Sequence, residues 1–417
     1  MTMQKRNISF NNFEQCIKCT ICTVYCPVVA VNPNYPGPKQ AGPDGERLRL
    51  KDKFFFDENL KYCMNCKRCE VACPSGVKIA DLIHSARRRY SSKSPGLREV
   101  ILANTDAMGK LARPFAPIVN SVMATSPAKS VMDSILSIDK HRTFPKYQGK
   151  GFIGWFRKEA QARQESYPHK VAFFHGCSTE FQHPEIGKAF VKVMNAIGFG
   201  VKLLDEECCG VAMISNGLWK SASKHAGHNV KVFTEAVNDG LPIVGVSSTC
   251  IFTMRDEYPD VMDVDNSAVR DSLTLAEKFI FEKVDSGEVK LVFRPDYRAR
   301  IAYHVPCHME KLGWSIFTKA LMKMIPGVSM TVMDSACCGM AGTYGFKKEN
   351  YHYSQEIGRP LFDQIKSLSP DFVCCECETC KWQIEMSTGY DVLNPIQILA
   401  DALDVEATAK ANGVTVK

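Results

Sequence analysis

The run CIKCTICTVYCP, residues 16–27, occurs a second time as CMNCKRCEVACP, residues 63–74. Both runs have the spacing Cys-x2-Cys-x2-Cys-x3-Cys-Pro, which places eight cysteines near the start of the chain. Two residues between cysteines let a tight turn aim successive sulfurs at different metal atoms of one cluster. The proline after the last cysteine removes a backbone donor and stops the turn from continuing as a helix. The doubled run therefore decides the fold of the N-terminal part.

Two 4Fe–4S clusters are the cofactors that this spacing predicts. In proteins with two such runs, three close thiolates hold one cluster and the fourth ligates the other. Zinc is the alternative, but zinc sites take four ligands, usually from paired Cys-x2-Cys units. The predicted ligands are Cys16, Cys19, Cys22 and Cys73 for the first cluster, and Cys63, Cys66, Cys69 and Cys26 for the second.

The composition fits a multidomain protein that binds metal in a reducing compartment. The chain has 417 residues and 19 cysteines, and residues 1–15 lack the apolar region of a secretory signal. We therefore expect metal-bound thiols rather than disulfides. The net charge of +7 comes without any nucleic-acid-binding motif, so we expect no nucleic-acid partner. No stretch reaches the ~18–20 apolar residues of a membrane-spanning helix.

Two helices are predicted around the second cysteine run. A turn-rich loop after the first run leads into a short helix within RLRLKDKFFFDENL, residues 47–60. A longer helix follows the second run in VKIADLIHSARRRY, residues 77–90, because its apolar residues recur at helical spacing. Those residues are Ile79, Leu82, Ile83 and Ala86.

Residues 93–168 contain no cysteine and are predicted to be a helical linker. Four apolar residues at helical spacing run through it, interrupted by Pro114 and Pro117. These are Leu111, Phe115, Ile118 and Val122. One interpretation is an amphipathic segment that rests on a membrane. The other is a helical linker that packs its apolar side on a neighbouring domain, and we favour it because the polar side is not strongly cationic.

The second half of the chain repeats itself. VAFFHGC, ending at Cys177, aligns with IAYHVPC, ending at Cys307. Each is followed by a Cys-Cys-Gly triplet and a last cysteine: Cys208, Cys209 and Cys250 in copy one, and Cys337, Cys338 and Cys380 in copy two. The first step is 31 residues in copy one and 30 in copy two, and the last step is 41 and 42 residues. This matched spacing indicates an internal duplication.

Each copy is predicted to be an α/β unit. In copy one, KVAFF, VKLLD and PIVGVSS are short apolar runs typical of buried strands. Helices are predicted over residues 185–199 and 220–237, and the first of them carries Ile186, Phe190, Val193 and Ile197 on one face. The cysteines then follow the carboxyl ends of strands, where ligand sites gather in open α/β sheets.

The pattern C…CCG…CxxC resembles the cysteine-rich CCG domains found in the B subunit of heterodisulfide reductase and in its relatives. The resemblance implies that a complete motif supplies five thiolates to a non-cubane 4Fe–4S cluster. Copy two has all five: Cys307, Cys337, Cys338, Cys377 and Cys380.

Copy one departs from this pattern, because Ser247 occupies the position of the first cysteine in CxxC. A serine hydroxyl is not ionised at neutral pH and is a poor ligand beside thiolates. The remaining thiols are Cys177, Cys208, Cys209 and Cys250. For them a zinc ion, an iron–sulfur cluster and no metal at all stay open. Plain buried thiols are the alternative in both copies.

Four further residues near these cysteines receive no assigned role. Cys374 and Cys375 are interpreted as strand residues inside the core. His175 and His304 precede the first cysteine of each copy. They are candidates for hydrogen bonds that tune a cluster, but we favour ordinary buried histidines.

The whole arrangement resembles known respiratory iron–sulfur subunits. The N-terminal part is similar to their helical ferredoxin domain, and the doubled run followed by two CCG repeats is shared with glycolate oxidase and lactate-utilisation proteins. The stretches around both runs most resemble the C subunits of anaerobic glycerol-3-phosphate dehydrogenases. This resemblance implies partner flavoproteins, the A and B subunits, that oxidise sn-glycerol 3-phosphate. It also implies an iron–sulfur chain that passes their electrons to membrane quinone from a peripheral position at the cytoplasmic face of the bacterial inner membrane.

Two alternatives stay open for the function. One is an iron–sulfur subunit of glycolate or lactate oxidation, and the other is a reductase that splits disulfides at a non-cubane cluster. The chain carries no nucleotide fingerprint, metalloprotease motif or nucleophile elbow. We therefore expect an electron-transfer subunit with no catalytic residue and no site of its own for the alcohol substrate.

The predicted fold is multidomain, with an α-helical ferredoxin domain followed by two repeated α/β CCG domains. The predicted boundaries are 1–92 for the ferredoxin domain, 93–168 for a linker that contacts a membrane or partner, 169–300 for the degenerate copy one, and 301–417 for the complete copy two.

Overall fold

The computed structural model describes residues 13–52, 58–90 and 94–415. Its N-terminal part is helical, with α1 (Ile21–Val24), α2 (Gly45–Lys51), α3 (Arg68–Val71) and α4 (Ile79–Tyr90). A π-helical turn, Gln40–Asp44, and a 3-10 turn, Glu58–Tyr62, complete this part. The predicted short helix is present as α2. Residues 53–57 of its predicted range, and the domain boundary predicted between residues 92 and 93, lie outside the described residues.

The helix α4 holds the N-terminal part together, as its spacing predicts. Its four apolar residues named above are at most 3% exposed, because positions three and four apart fall on one face of a helix. They form one apolar cluster with both cysteine runs and with Cys337, Tyr344 and Ile357 of copy two. The N-terminal part therefore packs directly on copy two.

The linker is a series of short helices. They are α5 (Leu97–Ala103), α6 (Thr105–Ala112), α7 (Ala116–Ala124), α8 (Ser126–Leu136), α9 (Phe152–Trp155) and α10 (Gln161–Gln164), with a 3-10 turn at Arg113–Phe115 and a π-helical stretch at Phe156–Ala160. Thr125 caps α8 by accepting a hydrogen bond from Ala128 N.

The apolar side of the linker corrects the favoured interpretation. Leu111, Phe115, Ile118 and Val122 are 67%, 59%, 66% and 51% exposed, so they do not pack on a neighbouring domain within the described part of the chain. The pattern identified an apolar face correctly, but periodicity carries no information about what covers such a face. None of the described helices combines the length and the apolar character that crossing a bilayer requires.

Copy one consists of strands β1 (His169–Phe174), β2 (Phe199–Leu203), β3 (Ile243–Gly245) and β4 (Leu273–Leu275), with helices α11 (Gly176–Phe181), α12 (Pro184–Ala196), α13 (Val211–Ser215), α14 (Trp219–Asn238), α15 (Ser248–Phe252), α16 (Tyr258–Asp260) and α17 (Ala276–Asp285). A π-helical stretch at Thr253–Glu257 and a 3-10 turn at Arg270–Ser272 lie between them. The three strands and two helices predicted from the sequence are thereby confirmed.

Copy two consists of strands β5 (Ala299–Tyr303), β6 (Val328–Val332), β7 (Phe372–Cys374) and β8 (Val392–Leu393), with helices α18 (Cys307–Leu312), α19 (Ser315–Met324), α20 (Lys348–Leu368), α21 (Glu378–Thr388), α22 (Pro395–Ala402) and α23 (Val405–Ala411). A 3-10 turn at Tyr344–Phe346 precedes α20. The predicted domain boundaries stay predictions; the first strand of copy two begins at Ala299.

Each copy has one four-stranded parallel sheet with the same strand order. The order is β2-β1-β3-β4 in copy one and β6-β5-β7-β8 in copy two. Val171 pairs with Val201 in the first sheet, and Ile301 pairs with Met330 in the second. The central strands are buried on both faces, as parallel strands covered by crossover helices must be. The matched topology confirms the duplication and the predicted fold class.

The two copies share one interior. Phe173 and Phe190 of copy one belong to the same apolar cluster as Ile301, Tyr303 and Leu399 of copy two. The rings of Phe173 and Phe190 stack with centroids 4.0 Å apart, and α12 contacts α22 across the boundary. Because the apolar area is buried jointly, the copies fix each other's orientation and bring their cysteine loops together.

Candidate metal centres

The first predicted cluster site is a small cavity lined by Cys16, Cys19, Cys22 and Cys73. Three of these cysteines come from the first run and one from the second, as the motif predicts. The left-handed backbone at Lys18 (φ 60°) and Thr20 (φ 65°) folds the run around the cavity. The second run repeats this shape at Asn65 (φ 55°) and Lys67 (φ 62°).

The second predicted cluster site mirrors the first. A second small cavity is lined by Cys63, Cys66, Cys69 and Cys26. The structure therefore brings together all four members of each predicted set, including the two cysteines that cross between runs. Iron binding by these sets stays a prediction.

The spacing of the sulfurs fits clusters better than single ions. Two thiolates on one zinc ion lie at most about 4.6 Å apart, because each Zn–S bond is about 2.3 Å. Among the described residues, only one group of three or more His, Cys, Asp or Glu ligand atoms lies mutually within 4.8 Å, and it lies in copy two. The ferredoxin-type cysteines are spread more widely, as a cube requires when each thiolate binds a different iron.

Burial at the second site keeps unligated thiols protonated, while two nearby cations favour their charged form. Burial raises the pKa of Cys26 to about 12 and the pKa of Cys63 to about 11. The nearby cations Arg87 and Lys67 act in the opposite direction on Cys63. Metal binding requires deprotonated thiols and releases their protons. These cations stabilise the negative charge that the thiolates of a bound cluster bring.

Copy one gathers its four cysteines beyond the carboxyl ends of its strands, as predicted. The sulfurs of Cys177 and Cys208 are 3.9 Å apart, and Cys209 contacts the thiols of both Cys208 and Cys250. No three of these sulfurs lie mutually within 4.8 Å in the described part of the chain. They form a row of neighbours rather than a compact tetrahedron, and both the zinc and the iron–sulfur assignments stay predictions.

The linker closes the copy-one site, a role that sequence reasoning missed. The hydroxyl of Thr105 donates a hydrogen bond to the Cys177 sulfur over 3.3 Å. The backbone N–H of Cys208 donates to Asp106 over 3.0 Å, and burial raises the pKa of Asp106 to about 6. Residues about 70 and 100 positions away carry no local sequence signal for such contacts.

Copy two packs its cysteines more tightly. The sulfurs of Cys338 and Cys380 are 3.3 Å apart, and the N–H of Gly339 donates to the Cys337 sulfur over 3.4 Å. Gly339 has φ +84°, and a Cβ there would lie 2.0 Å from the carbonyl oxygen of Ser354. The third residue of the CCG triplet must therefore be glycine to let helix α20 approach the thiols.

Two thiols of copy two are already activated, Cys337 and Cys377, and hydrogen bonds lower the pKa of both. A hydrogen bond from Cys380, with further ones from Thr249 and Thr379, lowers the pKa of Cys377 to about 5. Cys377 is therefore a thiolate at neutral pH, the form that ligates metal. Thr249 belongs to copy one and lies 3.3 Å from the Cys377 sulfur.

Ser247, the residue at which copy one departs from the motif, makes two hydrogen bonds. Its hydroxyl donates to Glu378 of copy two over 2.8 Å, and its oxygen accepts from Cys250 N as the cap of α15. Burial raises the pKa of Glu378 to about 7. The serine thus links the two cysteine loops, and a thiol in its place would give up this stronger hydrogen bond to the carboxylate.

Cys374 and Cys375 have different environments, which sequence reasoning did not separate. Cys374 ends β7 and lies in the apolar interior shared by the copies. Cys375 faces the opposite way, as successive strand residues do, and contacts Cys380. Both cysteines are buried in apolar clusters, so the interpretation as core residues is right for both, but only Cys374 is a strand residue and Cys375 lies beside the copy-two thiols. The alternation of side chains along a strand was the available signal for this difference.

The two histidines are buried, as favoured. Burial lowers the pKa of His175 and of His304 to about 4, so both imidazoles are neutral at neutral pH. His175 hydrogen-bonds the carbonyl of Gly176. His304 Nε2 has no hydrogen-bond partner among the described residues, so only His175 is a satisfied core histidine.

The second ferredoxin site lies against copy two. Contact with Cys337 and with Cys66 raises the pKa of the Cys307 thiol, so the two cysteine sets meet at Cys66 and Cys307. Polar contacts fix this junction. Arg68 donates to Ser335 over 2.8 Å, Lys311 pairs with Glu70 at 3.0 Å, and His308 Nε2 lies 3.1 Å from the carbonyl of Asn65.

Comparison with known proteins agrees with this architecture. Residues 12–77 match the model of the 4Fe-4S dicluster domain, and residues 171–255 and 301–385 both match the cysteine-rich CCG domain. The C subunit of anaerobic glycerol-3-phosphate dehydrogenase from Escherichia coli K12 is 54% identical over 394 residues, which cover 94% of this chain and 99% of that protein. The chain belongs to this family of C subunits. It is therefore an iron–sulfur subunit, and the predicted electron-transfer role is confirmed.

Other relatives of the chain are more distant. The glycolate oxidase iron-sulfur subunit of E. coli K12 is 23% identical, over 94% of this chain and 94% of that protein. The B subunit of fumarate reductase (CoM/CoB) from Methanothermobacter marburgensis is 24% identical, over 92% of this chain and 70% of that protein. The chain is thus also similar, at lower identity, to subunits of two other enzymes.

Proposed function

We propose that this chain carries electrons from flavoprotein subunits of its own complex to membrane quinone, and that it holds the complex at the cytoplasmic face of the bacterial inner membrane. The flavoprotein subunits would oxidise sn-glycerol 3-phosphate to dihydroxyacetone phosphate. The 54% identity with the C subunit of an anaerobic glycerol-3-phosphate dehydrogenase supports the substrate. Bound 4Fe–4S clusters would supply one-electron transfer between a two-electron flavin and a distant acceptor.

The observation that best supports the proposed electron relay is that each cysteine run contributes residues to both predicted cluster sites. Each predicted set of four cysteines lines one small cavity. The residues that would hold the clusters are the eight cysteines named above. Lys67 and Arg87 would stabilise the negative charge at the second set. A chain whose role is relay needs such sites and no pocket for the alcohol.

A large cleft between the N-terminal part and the two copies supports a site for the quinone. Cys63 of the second set lines it, together with His84, Trp219 and Tyr344. The Tyr344 hydroxyl and both ring nitrogens of His84 have no hydrogen-bond partner among the described residues. Such groups suit a planar ligand with two carbonyl oxygens, since a buried donor without a partner costs about 1–3 kcal/mol.

The charge and the rim of the cleft also suit a quinone. Six basic side chains and three acidic ones line it, and negative charge develops on the oxygens of a quinone as it is reduced. Gly96 and Val100 of the α5 region form part of the wall. Helix α5 leads directly into the exposed apolar helices of the linker, so a lipid-soluble ligand would enter from that side.

Tyr344→Phe tests the quinone site with little risk to the fold, because the hydroxyl has no partner to lose. We expect the KM for a soluble quinone to rise roughly tenfold, the value of one hydrogen bond of about 1.4 kcal/mol. Dye reduction by the reconstituted complex should be unchanged. Tyr353→Phe, on α20 outside the cleft, is the matched control. Equal quinone kinetics in both variants would contradict the proposed site.

The exposed apolar side of the linker supports peripheral membrane attachment. Beyond the four residues named above, Val131 and Ile135 are 55% and 73% exposed. Residues 107–132 contain three basic residues and no acidic one. Arg113 among them pairs with Glu180, so the exposed apolar face rather than the charge supports attachment to a lipid surface.

Ile118→Asp should weaken attachment to vesicles of anionic lipid at least tenfold, because inserting one isoleucine contributes about 1.5–3 kcal/mol and a carboxylate is repelled. Co-sedimentation of the purified chain with vesicles measures this. Ile316→Asp is the control, since Ile316 is 57% exposed on α19, away from the linker. Attachment that survives in Ile118→Asp, or falls equally in the control, would rule out this surface.

The partner is tested by reconstitution. Purified chain added to the flavoprotein subunits should couple glycerol 3-phosphate oxidation to quinone reduction, and it should not couple a glycolate-oxidising flavoprotein. The 23% identity with the glycolate oxidase protein makes that alternative the weaker one. Coupling with the glycolate flavoprotein alone would overturn the proposed substrate but not the relay.

A further inference from the structure

A histidine and two cysteines of copy two form the tightest group of ligand atoms in the described part of the chain. Atoms of His304, Cys375 and Cys380 all lie within 4.8 Å of one another. The three residues are 1%, 3% and 6% exposed. Only Cys380 belongs to the five-cysteine motif, so the group differs from the set that the sequence pattern predicts.

The fold holds His304 in place from both sides. It directly follows β5, and its backbone N–H donates to the carbonyl of Cys374 over 3.0 Å. Cys375 directly follows β7, the strand that pairs with β5. The two side chains therefore leave neighbouring strand ends, and their ligand atoms lie within 4.8 Å of each other.

The imidazole points to a ligand. His304 Nε2 is buried and makes no hydrogen bond with the described residues. A buried ring nitrogen without a partner is unfavourable, and Nε2 of a neutral imidazole is a common metal ligand. A metal ion would satisfy this atom where the protein does not.

A fourth donor is at hand. The Cys338 sulfur is 3.3 Å from the Cys380 sulfur, and both are buried. Three cysteines and one histidine are a donor set found in closed tetrahedral sites. Ligand atoms around one such ion lie no farther than about 4.6 Å apart. The group of three is close to this scale, whereas Cys338 adjoins Cys380 but lies outside the group, so its sulfur would have to move towards the other two ligands on binding.

We propose that His304, Cys375, Cys380 and Cys338 bind a single thiophilic divalent ion, zinc or ferrous iron, in chains whose copy-two site holds no iron–sulfur cluster. Cys338 and Cys380 occur in both ligand sets, so the ion and the five-thiolate cluster exclude each other. The ion would keep the copy-two thiols occupied until a cluster replaces it.

The test uses the full chain with Cys307→Ser as background. This change removes one thiolate of the five-cysteine set and leaves all four proposed ligands. The protein is purified without oxygen and equilibrated with zinc alone or with ferrous iron alone. Metal analysis and X-ray absorption then report the number of ions and whether nitrogen binds them.

We expect one added ion with sulfur and nitrogen ligands. Comparison of the zinc-treated and iron-treated samples shows which of the two metals the site binds. His304→Gln in this background should lose the nitrogen ligand, and Cys375→Ser should lose the ion at least tenfold more readily to a chelator. Cys374→Ser, one residue away but facing the core, should behave like the background.

Unchanged paramagnetic signals of the N-terminal clusters verify that each variant is folded. An added ion with sulfur ligands only, or one that His304→Gln and Cys375→Ser leave unaltered, would overturn the proposal. So would the absence of any added ion in the background protein.

Discussion

Replacing Cys22 by serine should reduce quinone reduction by the reconstituted complex to the rate measured without this chain. Cys22 is 7% exposed and lines the first cluster site with three other cysteines. A serine hydroxyl stays protonated at neutral pH and does not replace a thiolate on iron. Dye reduction by the flavoprotein subunits should persist, because it takes electrons upstream of this chain. Quinone and dye assays on one preparation measure both.

Cys374→Ser is the matched control for this experiment. Cys374 is fully buried but belongs to the apolar interior and to none of the cysteine sets. It should retain quinone reduction, with only a loss of stability. If Cys22→Ser kept normal quinone reduction, or lost dye reduction as well, the relay through the first site would be wrong.

Lys67→Met should destabilise the junction of the N-terminal part with copy one by about 3–5 kcal/mol, the usual cost of leaving buried charges unpaired. Lys67 is 1% exposed. Its ammonium group pairs with Asp81 and lies 3.5 Å from Glu257 and 3.9 Å from Glu70. Methionine fills similar volume but removes the buried cation beside Asp81 and Glu257, whereas Glu70 keeps its pair with Lys311. Urea unfolding followed by circular dichroism and by the visible absorption of the clusters measures the change.

Lys202→Met provides the comparison at an exposed ion pair. Lys202 and Asp239 are 2.9 Å apart, with side chains 49% and 58% exposed, and such pairs contribute about 0–1 kcal/mol. The midpoint of the first unfolding transition should shift for Lys67→Met and stay nearly constant for Lys202→Met. Similar small shifts in both variants would show that the buried cation does not hold the domains together.

Much of this arrangement was predictable because it depends on short-range patterns in the sequence. The spacing of the two runs predicted that Cys73 and Cys26 would exchange sites, and both do lie with the opposite run. Strands and helices of copy one followed from apolar runs and helical spacing. The position of cysteines after strand ends followed from the general rule for parallel sheets.

The rest depended on contacts between distant segments. Lys67 meets Glu257, 190 residues later, and Ser247 meets Glu378, 131 residues later. Cys375 lies beside the copy-two thiols because it directly follows strand β7 and its side chain points away from that of Cys374. The pattern in the linker identified an apolar face, but it did not predict that Ile118 on this face is exposed in the folded structure. Patterns in a single sequence do not predict contacts between residues that lie so far apart along the chain.

The bonding of iron by the eight N-terminal cysteines is tested most directly by paramagnetic resonance of the full chain, purified without oxygen and reduced with dithionite. We expect brown protein whose iron and sulfide contents cover at least two 4Fe–4S clusters, with two reduced centres in the spectrum. Cys22→Ser should remove one of these centres and leave the other. Protein with zinc in place of iron, or a spectrum that Cys22→Ser leaves intact, would contradict this assignment.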